Sequence, residues 1–292
     1  MNEVIQLLIS GLATGGVYAL TAIGFSLLWQ TSQTVNFAQG EFVMLPAFIV
    51  LIALDLVGDH VWLAFLISFV VSIGLLGYVF KRFLVDRMIE HGVMPLLIGS
   101  LGISIILKET VKNFYTAQPK PFPQLVEAVN VSFGKVTVSL QSLVVLVVSI
   151  IAVIALQLFL SRTRTGRCMQ ATAQNRNVAR LLGVRVDRMI LYSFLINAAL
   201  VTLAAILISP IYFASYSMGE TIGLSAFVAA IVGGFNQVRG AVVGGLLFGL
   251  VDNFAATYLS LQYRGAVPLF ILILVILFKP QGLLGRAEER TV

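Results

Sequence analysis

The residues able to do chemistry in this chain occupy two kinds of place. The first is a set of amides and acids inside otherwise apolar runs. Asn36, Gln39 and Glu41 fall in the stretch running from Gln30 to Glu41, Asn197 lies in a later run, and Asp252 and Asn253 sit side by side in another. Polar groups at membrane depth are costly and mark substrate or ion pathways by default. The plainer alternative is hydrogen bonding between helices, worth about 0.6–2 kcal/mol each. The six residues are therefore candidates for a translocation pathway. The second place is the stretch from Ser161 to Arg188, with seven arginines and one acid, Asp187, between two long apolar runs. So much charge cannot stay in lipid, and its sign sets the side of the membrane it faces.

Other chemistries are missing. No Gly-x-x-x-x-Gly-Lys-Ser/Thr occurs, so the chain carries no P-loop for ATP. His60 and His91 have no ligand-spaced partners, and no Ser/His/Asp set or paired carboxylates share a face, which argues against an enzyme and against a metal site. The single cysteine, Cys168, allows neither an intramolecular disulfide nor a thiolate cluster. The net charge of +6 sits mostly in loops that the positive-inside rule places in the cytoplasm, and does not point to nucleic acid. No span carries the repeated Asp/Glu/His pattern of a proton relay, which weakens the rival reading of a stand-alone ion-coupled carrier or channel.

The elements that must hold these residues are membrane helices. The chain has 292 residues, is 59% hydrophobic, and only 11% of it is charged. Its mean hydropathy is +0.98. Apolar runs of about 20 residues imply an all-α polytopic membrane protein, a single unit over residues 1–292. The expected spans are Val4–Trp29, Phe42–Val57, Val61–Phe80, Val93–Leu107, Leu140–Leu160, Met189–Tyr212, Thr221–Gly234, Ala241–Leu259 and Gly265–Phe278. Thr221–Gly234 is short for a crossing, so the reading is about nine spans, with eight as the alternative. Basic loops at Lys81–Arg87, at residues 161–188 and in the tail from Lys279 to Arg290 are placed inside, giving N-out and C-in. The N-terminus lacks a basic n-region and cleavage site, so the first run is expected to be a retained helix. Gly11 and Gly15 in the first run, and Gly244 and Gly245 in a late one, are small residues spaced for close helix packing. Residues 111–138 read as a long loop with a strand hairpin at Val131–Val138. No internal repeat can be aligned.

Inside the arginine stretch, Asn175 is a good N-cap and Gly183 is placed to end a helix in a left-handed C-cap. Between them Val178, Ala179, Leu181 and Leu182 give a short apolar stripe. A two-turn helix outside the bilayer is marginal alone and needs a surface to dock on. A partner protein and anionic lipid headgroups are equally good surfaces on these grounds.

The residues also carry a resemblance. Thr165-Gly-Arg167, Ala171-Thr-Ala, Ala179-Arg-Leu-Leu-Gly183 and Val186-Asp-Arg188 resemble the cytoplasmic coupling loop of branched-chain amino acid ABC permeases of the LivH type. Gly15-Gly-Val-Tyr-Ala-Leu20 and Val35-Asn-Phe-Ala-Gln-Gly-Glu-Phe42 are similar to that family's N-terminal signature, which more commonly has His where Gln39 stands. Leu224–Gly234, Arg239–Gly245 and Phe278-Lys-Pro-Gln-Gly-Leu-Leu-Gly285 are similar to its later motifs, so the resemblance covers essentially the whole chain. It implies a bacterial inner-membrane permease working by ATP-driven alternating access, with residues 111–138 periplasmic. The implied partners are a second, LivM-type permease, two cytoplasmic ATPases of the LivG/LivF type that bind ATP and magnesium, and a periplasmic substrate-binding protein. No cofactor is implied for this chain. Asn175 to Gly183 becomes the coupling helix. Leucine, isoleucine or valine is the first choice of substrate, and urea or a short-chain amide the alternative within the class.

Overall fold

A computed structural model describes residues 2–88, 91–126, 129–133, 136–259 and 266–285. The chain starts with α1 (Asn2–Ser32), α2 (Gln39–Val57) and α3 (Val61–Met88). Two π-helical stretches, Ile73–Val79 and Lys81–Val85, interrupt α3 without ending it. Helix α4 (Val93–Tyr115) follows, and then a hairpin of β1 (Asn130–Phe133) and β2 (Val136–Ser139), with Val131 opposite Val138. Helix α5 (Leu140–Arg162) starts where the Ser139 hydroxyl accepts from the Ser142 amide at 3.2 Å. The arginine stretch holds α6 (Arg164–Gln174) and α7 (Arg176–Leu181). The chain closes with α8 (Val186–Tyr212), α9 (Met218–Gly233), α10 (Val238–Tyr258) and α11 (Ala266–Phe278).

Among the described residues seven helices are long and apolar enough to cross a bilayer: α1 to α5, α8 and α10. Helix α9 and the apolar part of α11, Leu269–Phe278, are shorter. The protein is thus a multi-pass helical membrane protein.

Several expectations change. Lys81–Arg87 is not a loop: α3 continues to Met88, because Lys81 turns inward and pairs with Asp86 at 2.7 Å. Residues 111–115 are a π-helical extension of α4 rather than the start of a loop. The arginine stretch is mostly helical. Thr163 accepts from the Gly166 amide at 2.9 Å to cap α6. Gly166, Met169 and Thr172 then bury one face while Arg164 and Arg167 stay outside. Charge density hides such an amphipathic helix from a hydropathy reading. Gly265, Glu127, Lys135 and the tail from Arg286 to Arg290 lie outside the described residues.

The centre of the bundle is α1, whose most extensive packing is against α10. Glycine makes this crossing possible. A Cβ on Gly15 would lie 2.9 Å from the Leu246 Cα, one on Gly11 3.1 Å from the Leu250 Cα, and one on Gly245 would collide with the Ala19 backbone. Gly249, which sequence reasoning passed over, faces Gly15 directly. Gly244 turns the other way and lies against Ala229 and Gly233 of α9. Lipid gives helices no hydrophobic reason to associate, so such backbone-to-backbone packing carries much of the fold.

Candidate functional site

Two helices begin inside the bundle rather than at its ends. Gln39, first in α2, reaches the Thr21 carbonyl of α1. That is eleven residues before the end of α1, or about 16 Å at 1.5 Å per residue. The link from 33 to 38 therefore folds back into the protein. Thr34, Asn36 and Ala38 are buried in it, as irregular backbone at membrane depth must be. Helix α9 starts at the same crossing. A Cβ on Gly40 would strike the Gly219 carbonyl, and one on Gly219 would meet the Gly40 carbonyl carbon at 2.8 Å. The first turns of α2 and α9 pack on each other there, and each opens on a Gly-Glu pair, Gly40-Glu41 in α2 and Gly219-Glu220 in α9.

The sequence-predicted polar residues divide around this crossing. Gln39 and Asn197, both fully buried, form a reciprocal amide pair. Gln39 Nε2 donates to Asn197 Oδ1 at 2.7 Å, and Asn197 Nδ2 donates to Gln39 Oε1 at 2.9 Å. The pair rests on Gly24 of α1, where a Cβ would overlap both amides. Asp252 is buried rather than hydrated, and accepts from the Tyr18 hydroxyl at 2.9 Å across α1 and α10. Asn253 donates to the Gly249 carbonyl of its own helix at 3.0 Å. Asn36 accepts from the Ala38 amide through Oδ1, while its buried Nδ2 has no hydrogen-bond partner among the described residues.

Glu41 belongs to a different grouping. Ser100, Ser104, Lys108 and Lys112 recur every four residues along one face of α4. That face meets the first turns of α2 and α9. Lys108 Nζ lies 2.6 Å from Glu220 Oε2, and the Glu41 carboxylate has the Ser104 hydroxyl and the Lys108 charge nearby. Below them the Phe37 amide donates to Ser100 Oγ at 3.1 Å. Above them Lys112 lies 5.8 Å from the Tyr216 ring centre, and the Tyr115 hydroxyl reaches Asp55 at 3.5 Å. From Tyr115 to Ser100 this polar seam spans about 22 Å, fifteen residues of helix.

At the opposite end of the bundle lies the arginine segment. Asn175 Oδ1 accepts from the Asn177 and Val178 amides at 3.0 and 3.1 Å, capping α7. Gly183, at φ +80°, ends it, and the Val184 amide donates to the Ala179 carbonyl at 2.9 Å. The four apolar residues do not act as one stripe. Ala179 is buried against the body, while Val178, Leu181 and Leu182 are exposed, Leu181 at 87%. Arg176 is half-buried, its Nε and Nη2 have no hydrogen-bond partner among the described residues, and burial, with Arg180 nearby, holds it below the usual guanidinium range. Beside α6 opens a polar cavity of about 740 Å³, lined by Gln30, Gln170, Gln174, Gln237 and Arg239 among others. The tail docks nearby: the Leu283 and Leu284 amides donate to the Val232 and Gly233 carbonyls at the end of α9, at 2.8 and 3.0 Å. Among the described residues no three His, Cys, Asp or Glu gather where a metal could sit.

A sequence model of the branched-chain amino acid transport system permease component matches residues 7–276. The chain belongs to this family. This permease is 35% identical to the high-affinity branched-chain amino acid transport system permease protein BraD of Pseudomonas aeruginosa, over 99% of this chain and 98% of BraD. It is 32% identical to the permease protein LivH of Escherichia coli K12, over 99% of this chain and 97% of that one. A probable LivH of Methanocaldococcus jannaschii is 29% identical over 91% of the chain and 88% of the relative. No solved structure matches. Sequence reasoning passed over three parts of the permease's polar architecture: Lys108, Glu220 and Gly24. The repeated Gly-Glu pair after a helix break was the available signal for Glu220.

Proposed function

We propose that the chain is the membrane-spanning permease subunit of an ABC importer that carries branched-chain amino acids into the cytoplasm. End-to-end similarity to BraD and LivH, both named for branched-chain amino acid transport, carries this reading. The seven long helices together with the short α9 and α11 make nine crossings, N-out and C-in, in the bacterial inner membrane. The arginine end then faces the cytoplasm and the hairpin end the periplasm, as the positive-inside rule requires.

Helix α7 is the coupling helix. Ala179 anchors it to the permease, leaving Leu181 and Leu182 for a groove on a cytoplasmic ATPase of the LivG/LivF type. The unpartnered Arg176 nitrogens suit an acidic rim beside that groove. The two ATPases bind ATP and magnesium, and this chain contributes no nucleotide site or enzymatic step. Their closure moves α7 and, through α6, the membrane helices packed on it, so the pathway opens alternately to each side. A LivM-type permease completes the pathway, and a periplasmic binding protein delivers substrate. Of the six sequence candidates, Asn36 and Glu41 lie along the pathway. Gln39, Asn197, Asp252 and Asn253 hold the helices that frame it.

Leu182→Asp in the assembled complex tests the coupling role. Uptake of leucine should be abolished and co-purification of the ATPases weakened, with membrane insertion intact. Normal uptake with normal ATPase recovery would sink the assignment.

A further inference from the structure

The seam along α4 presents a problem that packing alone leaves unsolved. Helix α4 is apolar enough to span a bilayer, yet only 11% of its most apolar window is buried within the chain. The same helix carries Lys108, whose partner Glu220 has a 67% exposed side chain. An ion pair at membrane depth cannot face hydrocarbon. It needs either water or another polar surface beside it.

The charges are also unequal. Lys108 bonds directly to Glu220 at 2.6 Å, while buried Glu41 has the Ser104 hydroxyl beside it and Lys108 only as a nearby charge. Two carboxylates thus share one ammonium. Both sit in the first turn of a helix, where the positive end of the helix dipole favours them. Deeper along the seam Ser100 continues the polar lining where the Phe37 amide meets it.

We infer that Glu41, Lys108 and Glu220 form a transit site for the zwitterionic head of an α-amino acid. This rests on the amino acid importer reading above. The substrate ammonium binds Glu41, and its carboxylate binds Lys108, which stays bridged to Glu220. Signs then alternate along the row: Glu220, Lys108, substrate carboxylate, substrate ammonium, Glu41. Each charge keeps an opposite neighbour, which a passage of low dielectric demands. An uncharged amide or urea has no use for such a row, so the site favours amino acids over those alternatives.

The test uses the complete complex, with both permeases, both ATPases and the binding protein, in vesicles supplied with leucine. Glu41→Gln, and separately the neutral pair Lys108→Gln with Glu220→Gln, should each lower leucine uptake at least tenfold while the second permease still co-purifies. Glu220→Asp should recover part of the rate. Uptake within twofold of the parent in the neutralised variants overturns the site. Loss of the second permease together with uptake also overturns it, by making the charges an assembly contact. Ser104→Cys in a Cys168→Ser background gives a second measurement. A charged methanethiosulfonate reagent added outside should label it, and leucine-loaded binding protein should slow the labelling. No labelling, or labelling that leucine leaves unchanged, refutes the site. If the parent complex takes up no leucine, the importer reading itself has failed, which is a separate result.

Discussion

The Gln39–Asn197 pair allows a quantitative prediction. Asn197→Leu keeps the branched shape, at a larger volume, and removes both bonds. Gln39 Oε1 is then left bare, and Nε2 keeps only the Thr21 carbonyl at 3.3 Å. Two orphaned amide groups would cost about 1–3 kcal/mol apiece in a buried site. Inter-helix hydrogen bonds in membranes measure lower, about 0.6 kcal/mol on average, because the reference state also finds partners. The retained Thr21 bond lowers the figure further, giving about 2 kcal/mol. Gln39→Met leaves both Asn197 amide groups bare and should cost at least as much. The double variant removes both polar groups, and replacing both partners is close to neutral. It should therefore cost no more than either single change, a coupling energy of at least about 2 kcal/mol in a double-mutant cycle. At roughly 2–4 °C per kcal/mol, each single variant melts about 4–8 °C lower and the double no lower than that. Gln39→His can meet Asn197 with one ring nitrogen, so it keeps one of the two bonds and should lose about 1 kcal/mol. Melting of the purified permease complex measures all four. Additive costs in the double variant would refute a reciprocal pair.

Two further outcomes follow from the packing of α1. Gly15→Leu drives a side chain into the Leu246 and Gly245 backbone, so the yield of folded protein in detergent should collapse, whereas Gly74→Leu, which faces open space, should not change it. Tyr18→Phe removes a donor from buried Asp252 and should cost about 1–3 kcal/mol in the same melt, while Asp252→Asn keeps an acceptor for Tyr18 and should cost less.

What could be read from the sequence was local or periodic. Asn175 and Gly183 bracket α7 as expected, because a cap is decided within a few residues of the helix end. Gly11 and Gly15 announced a close approach through their spacing, though not the helix that makes it. The hairpin was legible from its alternation. The polar site was not. Lys108 and Glu220 are 112 residues apart, and Gln39 and Asn197 are 158 apart. No single window holds both partners, so each looked like a stray polar residue or a span end. Helix α6 was missed for a different reason: its buried face is only Gly166, Met169 and Thr172, and the arginines dominate its composition.

The docked tail has a consequence for how the protein is made. Residues near Val232 and Gly233 leave the ribosome about fifty residues before Leu283 and Leu284, whose amides satisfy their carbonyls. Until then the end of α9 has carbonyls that, among the described residues, only the tail amides bond. Gly282, at φ +78°, lies so close to Gly234 that a Cβ there would come within 2.7 Å of its Cα. Capping of the end of α9 therefore waits until Leu283 and Leu284 have been made. A truncated chain that ends at Phe278 would insert its membrane helices and still leave α9 unfinished. Quality-control proteases that sense frayed helix ends would have a physical basis for telling the two products apart.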